Sequence, residues 1–144
     1  MTDSKVLLEL AARCEKAEGP DRRLDAGLHQ ARGYTLRDGK PNERYAKTRR
    51  WVSPEGIDCG WLEGTNREYP PRYTASVDAA LTLVAGTGVL ITLSEIKGDG
   101  MPMCVVGNPE TAELFEAVAN TMPLALVAAA LRSHAAQDKV GDGE

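Results

Sequence analysis

The stretch MPLALVAAALRSHAAQ, residues 122 to 137, is the clearest helical pattern in the chain and decides the fold. Its main apolar stripe consists of Leu124, Val127, Ala128, Leu131 and Ala135. Leu126 and Ala130 extend the apolar surface almost all round the first two turns, while Thr121 and Pro123 mark the start. A helix of this kind is buried on two sides. We expect a sheet on one side, and the wide apolar face leads us to expect a homo-oligomer.

Three segments with strand character precede this helix. VLITLSEI, residues 89 to 96, is β-branched and bounded by turns. KGDG, residues 97 to 100, is a hairpin turn signal, and MCVVG, residues 103 to 107, is its antiparallel partner. ETAELFEAVAN, residues 110 to 120, fits a strand or a helix, and we interpret it as a third strand. The sequence therefore predicts an antiparallel meander.

The N-terminal part of the chain has helical periodicity. Residues 4 to 20, SKVLLELAARCEKAEGP, predict a first helix capped by Asp3 or Ser4. Its predicted buried stripe consists of Leu7, Leu10, Ala11 and Cys14. We expect Gly19 and the following proline to stop this helix through a left-handed terminus.

A second, short helix should follow at once. Asp21 is its predicted N-cap and Gly33 its predicted end. Leu24, Leu28 and Ala31 line up on one face between them. Two helices joined by so short a turn should form a hairpin.

The segment YTASVDAALTLV, residues 73 to 84, concentrates hydroxyl groups ahead of another apolar stripe. Thr74 or Ser76 can accept a hydrogen bond from a first-turn amide, and Asp78 suits the positive end of the helix dipole. The predicted stripe is Val77, Ala80, Leu81 and Val84. Alternatively, the first-turn amides with Arg72 beside them can hold an anion.

These elements together predict an α+β fold in which helices cover an antiparallel sheet. We expect a single domain over residues 1 to 136 and a frayed polar tail over 137 to 144. Periodicity fades in an irregular insert at about 34 to 72, with short strands expected around Trp51 and at 57 to 61. An insert of this length inside a domain is either partly ordered or functional.

Charge and composition limit the functional classes. The chain has a net charge of -4, which argues against a protein that wraps duplex nucleic acid. Residues 37 to 73 differ from the rest, with eight basic and six acidic residues and hence a local charge of +2. This segment also holds five of the seven aromatic residues: Tyr45, Trp51, Trp61, Tyr69 and Tyr73.

Cysteine usage and hydropathy indicate the compartment. The three cysteines are Cys14, Cys59 and Cys104, an odd number without a CxxC pair, which fits a reducing cytosol. There is no basic leader followed by an apolar block, and no apolar run approaches the roughly 18 residues that spanning requires. We expect a soluble cytoplasmic protein without a membrane partner.

The chain contains no recognisable catalytic or metal motif. A zinc site needs three or four converging ligands, whereas His29 and His134 stand alone on predicted helices. There is no GxSxG elbow, and the GTG at 86 to 88 leads into a strand instead of a helix. We therefore expect no metal, no cofactor and no catalysis. An enzyme of unrecognised type is an alternative that no motif supports.

Three segments in order resemble a known family. They are LLELAARCEKAEGPDRRLDAGLHQA at 7 to 31, YTASVDAALTLV at 73 to 84 and TMPLALVAAALRSHAA at 121 to 136. Their order and spacing are similar to those of the phage ABA sandwich domain family, a group of small phage and prophage proteins. The resemblance implies a helix, sheet, helix layering (α/β/α), a phage origin and action in the host cell cytosol. It implies no activity or catalytic residue, and it is silent on residues 34 to 72.

The most informative cluster for function combines aromatic rings with guanidinium groups. The candidate ligand-binding residues are Arg49, Arg50, Trp51, Trp61, Arg72 and Tyr73. Rings can stack on a base, and guanidinium groups can bind phosphate. We hypothesise a non-enzymatic phage accessory protein that sequesters a small anionic, nucleotide-like ligand, such as a second messenger of host defence. Two alternatives stay open: an interaction module that inhibits a host or phage protein, and tryptophans that merely pack over the sheet while the cations stay solvated.

Overall fold

The structure is a computed structural model, and it describes residues 3–38, 49–56, 71–84, 90–95, 101–108 and 113–142. Its elements in chain order are α1 (Ser4–Lys16), α2 (Arg22–Ala31), β1 (Thr35–Asp38), β2 (Arg49–Val52), α3 (Val77–Leu81), β3 (Leu90–Glu95), β4 (Pro102–Asn108), β5 (Glu113–Val118) and α4 (Met122–Asp142). The strands form two antiparallel sheets, β1-β2 and β3-β4-β5, packed with helices. The predicted α+β class is confirmed. The turn predicted at 97 to 100 and the strand predicted at 57 to 61 lie outside the described residues.

The larger sheet is the predicted meander, with β4 between β3 and β5. Cys104 in β4 pairs with Leu93 in β3 and with Ala117 in β5. Cys104 and Ala117 are buried, whereas their neighbours Val105 and Glu116 are half-buried and exposed. Alternation along both strands therefore gives the sheet one covered and one open face.

Helix α4 covers the sheet and is itself covered. Every residue from 124 to 131 is buried. The helix contacts β4 and β5 on one side, and it contacts α1 and α3 elsewhere on its surface. The predicted burial on two sides is confirmed. The resemblance implies a sheet in the middle of the layers, but the order of these contacts is sheet, α4, α1. The apolar face from which we expected a homo-oligomer is thus covered within the chain.

Helix α4 is also longer than predicted. It continues to Asp142, where we expected a frayed tail from residue 137. No glycine or proline interrupts this segment before Gly141, so no strong helix breaker ends the helix earlier. His134 consequently does not lie at a helix terminus, and its Nε2 forms a hydrogen bond with the carbonyl oxygen of Leu83. No helix within the described ranges is long and apolar enough to cross a membrane.

The end of α1 differs from the prediction, while its start and its buried stripe are as expected. Asp3 is the N-cap, and its side chain accepts a hydrogen bond from the Lys5 amide. The helix ends at Lys16, and Ala17 is extended, with φ of -65° and ψ of 141°. The left-handed terminus predicted at Gly19 is wrong. Ala17 follows the helix, so its carbonyl has no hydrogen-bond partner within α1. The side-chain amide of Asn120 donates to this carbonyl at 2.6 Å.

Gly33 ends α2 as predicted and joins it to the small sheet. Its φ is 96°, a conformation that side-chain-bearing residues rarely adopt. A Cβ at this position would lie only 2.9 Å from Cγ of Pro54, just after β2. The glycine therefore permits both the sharp turn and the close approach of the β1-β2 sheet to α2.

We predict that Leu126→Ala in α4 lowers the free energy of unfolding by about 2 to 5 kcal/mol, because it leaves a cavity in a fully buried layer. The matched control is Leu114→Ala in β5, where the leucine is 70% exposed and the expected change is within about 0.5 kcal/mol. Chemical denaturation of both variants measures the difference. Equal losses would contradict the central position of α4.

Candidate functional site

Helix α3 is short, and Ser76 is its N-cap. The Ser76 hydroxyl accepts from the Ala79 amide at 3.3 Å, which settles the choice between Ser76 and Thr74. The helix ends after five residues. Leu81 is consequently exposed, and Leu83 in the following turn is buried instead. A helix this short offers no anion site of its own.

Thr74 instead joins this segment to α2. Its backbone amide and its hydroxyl both donate to Oδ1 of Asp25, at 2.8 and 2.9 Å. The Asp21 amide donates to the Thr74 hydroxyl oxygen at 2.8 Å. We call these three hydrogen bonds the Thr74 clasp. They connect groups that lie 49 and 53 residues apart in the chain.

The clasp involves a buried carboxylate. Asp25 is 3% exposed, and burial raises its pKa, although the two hydrogen bonds from Thr74 act in the opposite direction. Asp21 has a different local role as the predicted N-cap of α2, because its Oδ1 accepts from the amides of Arg23 and Leu24. Two carboxylates therefore occupy the first turns of α2, where the helix dipole favours negative charge.

An aromatic cluster lies beside the clasp. The His29 ring stacks on Tyr34, with centroids 3.8 Å apart and planes at 17°. Trp51 contacts the same imidazole edge-on at 4.8 Å, and Tyr73 lies 5.8 Å from it. The cluster thereby holds together α2, the β1-β2 sheet and the segment that leads into α3.

Hydrogen bonds in this cluster define the protonation of His29. Arg32 Nη1 donates to the Tyr73 hydroxyl oxygen at 2.8 Å, and that hydroxyl lies 2.8 Å from Nδ1 of His29. In the neutral ring with its proton on Nε2, Nδ1 accepts the proton of the Tyr73 hydroxyl. Burial, followed by the nearby Arg32 charge, lowers the pKa of His29 to about 4. His29 is therefore uncharged at neutral pH.

Two of the candidate aromatic residues, Trp51 and Tyr73, are described, and both belong to this buried cluster. Trp51 is 3% exposed and Tyr73 is fully buried, so neither presents an open ring face. Trp51 packs against His29 of α2. Trp61 lies outside the described residues. Trp51 and Tyr73 thus both contact His29 and support the surrounding segments, and their assignment as ligand-binding residues stays a prediction.

The three candidate arginines lie in two places in the structure. Arg49 and Arg50 lie in β2, where they pair with Asp38 and Arg37 of β1 in the antiparallel register. Arg72 immediately precedes the buried Tyr73, and its side chain is exposed. It forms no ion pair with another described residue.

Arg72 lies at a cavity of about 170 Å³ between α2 and the segment before α3. The cavity is lined by Pro20, Asp21, Arg22, Asp25, Arg72 and Ala75. Asp25 and Arg22 were not among the residues that the sequence singled out. The sequence feature that could have indicated this site is Asp25 itself. It lies next to Leu24 on the apolar face of a helix, and a buried acidic side chain requires a hydrogen-bonding or charged partner.

The described residues show no other group of reactive side chains in an open position. In this part of the chain, no three metal-ligating side chains lie close enough to hold an ion. Cys14 and Cys104 are buried, and burial raises their pKa to about 12 and about 11. Both thiols therefore stay protonated at neutral pH and are poor nucleophiles.

Comparison with known proteins adds no further assignment. No protein-family model matches the chain. No curated protein and no solved structure matches it either. The resemblance to the phage ABA sandwich domain family therefore stays a prediction from the three segments.

We predict that Thr74→Val destabilises the protein by about 2 to 4 kcal/mol, because the Asp21 amide loses its acceptor and the buried Asp25 loses one donor. Thr74→Ser is the matched control, since it keeps the hydroxyl and should cost only about 1 kcal/mol for the lost methyl group. Urea denaturation compares the two. A serine variant as unstable as the valine variant would show that the hydroxyl is not the stabilising group.

We predict that acid weakens the fold through His29. Its pKa falls from 6.5 to about 4 on folding, so the unfolded chain binds the proton more readily between these values. The free energy of unfolding is therefore unaffected by this group above pH 6.5, and it decreases by about 3 kcal/mol as the pH falls toward 4. The measurement is the free energy of unfolding against pH for the wild type and for His29→Gln, which keeps an acceptor for Tyr73. The variant should have the shallower dependence, and parallel curves would contradict the assignment.

Proposed function

We propose that the protein is a non-enzymatic accessory protein that binds and sequesters a small anionic, nucleotide-like ligand at the Arg72 cavity. The observation that carries this proposal is an exposed guanidinium without an ion-pair partner among the described residues, placed at a cavity beside a rigid segment. Arginine is suited to this role because its planar donors match carboxylate and phosphate oxygens. The resemblance adds a phage setting, in which the ligand is a signalling nucleotide of host defence.

Hydrogen bonds within the protein hold the backbone around Arg72. The Arg72 carbonyl accepts hydrogen bonds from the amides of Ala75 and Ser76, at 3.1 and 3.0 Å. The next two residues, Tyr73 and Thr74, are fully buried and bonded to α2. Binding then requires ordering of one side chain instead of a loop, which lowers its entropic cost.

The other candidate residues take different parts in this proposal. Trp51 and Tyr73 position the cavity through their contacts with His29. Arg49, Arg50 and Trp61 retain the roles inferred from the sequence, as further cations and as a stacking ring. The ligand-binding contact that rests on a described side chain is therefore Arg72.

A second candidate is an interaction module for another protein. The open face of the larger sheet favours it, because Leu114 of β5 is 70% exposed, and Val118 of the same strand and Met103 and Val105 of β4 are half-buried. Apolar side chains of this kind can contribute to a protein interface. We rank this candidate second because the cavity already combines a defined shape with an unpaired charge.

We predict that Arg72→Gln weakens binding of the anionic ligand by about ten- to a hundredfold, the loss expected for one charged hydrogen-bonding group. Isothermal titration of the wild type with a panel of linear and cyclic nucleotides identifies the ligand, and the variant is then titrated with it. Arg23→Gln is the matched control, because Arg23 is an exposed neighbour on α2 that does not line the cavity.

Absence of saturable binding at millimolar nucleotide would contradict the proposal. Equal weakening by the two variants would also contradict it, because the effect would then come from net charge alone. Capture of one specific host protein without a nucleotide response would favour the interaction module.

A further inference from the structure

The Arg72 cavity carries charges of both signs. The side chains of Arg22 and Arg72 supply the positive groups, and those of Asp21 and Asp25 supply the negative groups. A simple anion that approaches Arg72 also approaches two carboxylates and is repelled by them. An anionic ligand that also carries a positive group would offset this repulsion.

Asp25 has unused hydrogen-bonding capacity at this cavity. Both hydrogen bonds from Thr74 end on Oδ1, and Oδ2 accepts none from another described residue. The residue as a whole is only 3% exposed. When Asp25 is ionised, its carboxylate only accepts hydrogen bonds, so a group that bonds to Oδ2 must be a donor, preferably a cation.

The guanidinium of Arg72 and the carboxylate of Asp25 do not neutralise each other directly at the cavity. Arg72 and Asp25 both line it, yet they form no ion pair. A ligand that bridges them would satisfy one charge at each end. It would gain two charge-assisted hydrogen-bonding contacts without having to break an existing pair.

The size of the cavity limits the bridging group. A volume of about 170 Å³ corresponds to the space of roughly five or six water molecules. This is enough for a group of a few non-hydrogen atoms, so only the charged end of a larger, nucleotide-like ligand would lie inside the cavity. The positive and negative groups of the ligand must therefore lie close together.

We infer that the cavity binds a compact zwitterion, with its anionic group on Arg72 and its ammonium group on Oδ2 of Asp25. This inference rests on the proposed function and narrows the ligand from any anion to one with an adjacent amine. Two sources share this chemistry: free α-amino acids and amino-phosphates such as phosphoethanolamine.

Calorimetric titration with matched pairs of probes tests the inference. The pairs are alanine against N-acetylalanine and phosphoethanolamine against ethyl phosphate, in which the second member lacks the ammonium group. The amine-bearing member of at least one pair should bind about tenfold more tightly, the effect of one charge-assisted hydrogen bond. The pair that shows the preference identifies the source.

Three variants assign the effect to residues. Asp25→Asn should remove the preference, because the neutral amide no longer attracts the ammonium group, while Arg72→Gln should weaken every probe. Arg23→Gln should change neither. If Asp25→Asn does not fold, Ala75→Leu fills the cavity from an exposed position with the Thr74 clasp intact, and it should abolish zwitterion binding.

Equal affinities within both pairs would overturn the inference, as would a preference that survives Ala75→Leu or a folded Asp25→Asn variant. If nucleotides bind in an Arg72-dependent manner and no zwitterion does, the inference fails and the proposed function stands. If no probe and no nucleotide binds, both fail.

Discussion

The burial of α4 on two sides is the constraint on which the rest of the architecture depends. Its uninterrupted buried run, residues 124 to 131, leaves no face for solvent, so the chain must cover it twice. The meander covers one side and α1, more than a hundred residues earlier, covers another. Arg132 marks the end of this run and joins the layers, since it donates to the Glu116 carbonyl of β5 and pairs with Glu15 of α1.

The candidate site depends on a second constraint, the buried polar contacts between α2 and the segment before α3. The Thr74 clasp uses the carboxylate of Asp25, and the cap of α2 uses that of Asp21. The positive end of the α2 dipole is therefore already compensated by the protein's own charges. An anion at the cavity cannot gain much from the helix terminus, and its attraction must come from the arginine side chains.

Local patterns in the sequence determine much of the fold and little of the site. The helical stripes of α1 and α2, the strand runs and the caps at Asp3 and Asp21 depend on residues within one or two turns, and the structure has them as predicted. The partners of Thr74 and Tyr73 lie more than 40 residues away, and no spacing rule identifies them. The carbonyl of Ala17, just after α1, likewise accepts a hydrogen bond from the distant Asn120.

The clustering of aromatic and basic residues in the sequence does not determine which of them are exposed. Composition shows that Trp51 and Tyr73 are close in sequence to cations, but burial depends on which face of β2 meets α2, and in the structure both rings are inside. The local charge of +2 over residues 37 to 73 is likewise no guide to the cavity, whose two arginines and two aspartates cancel. A net-neutral site attracts little from a distance, because fields of opposite sign cancel beyond a few ångströms and salt screens the remainder. Selectivity at such a site must come from short-range hydrogen bonds to groups whose spacing in the ligand matches that of the guanidinium and the carboxylate.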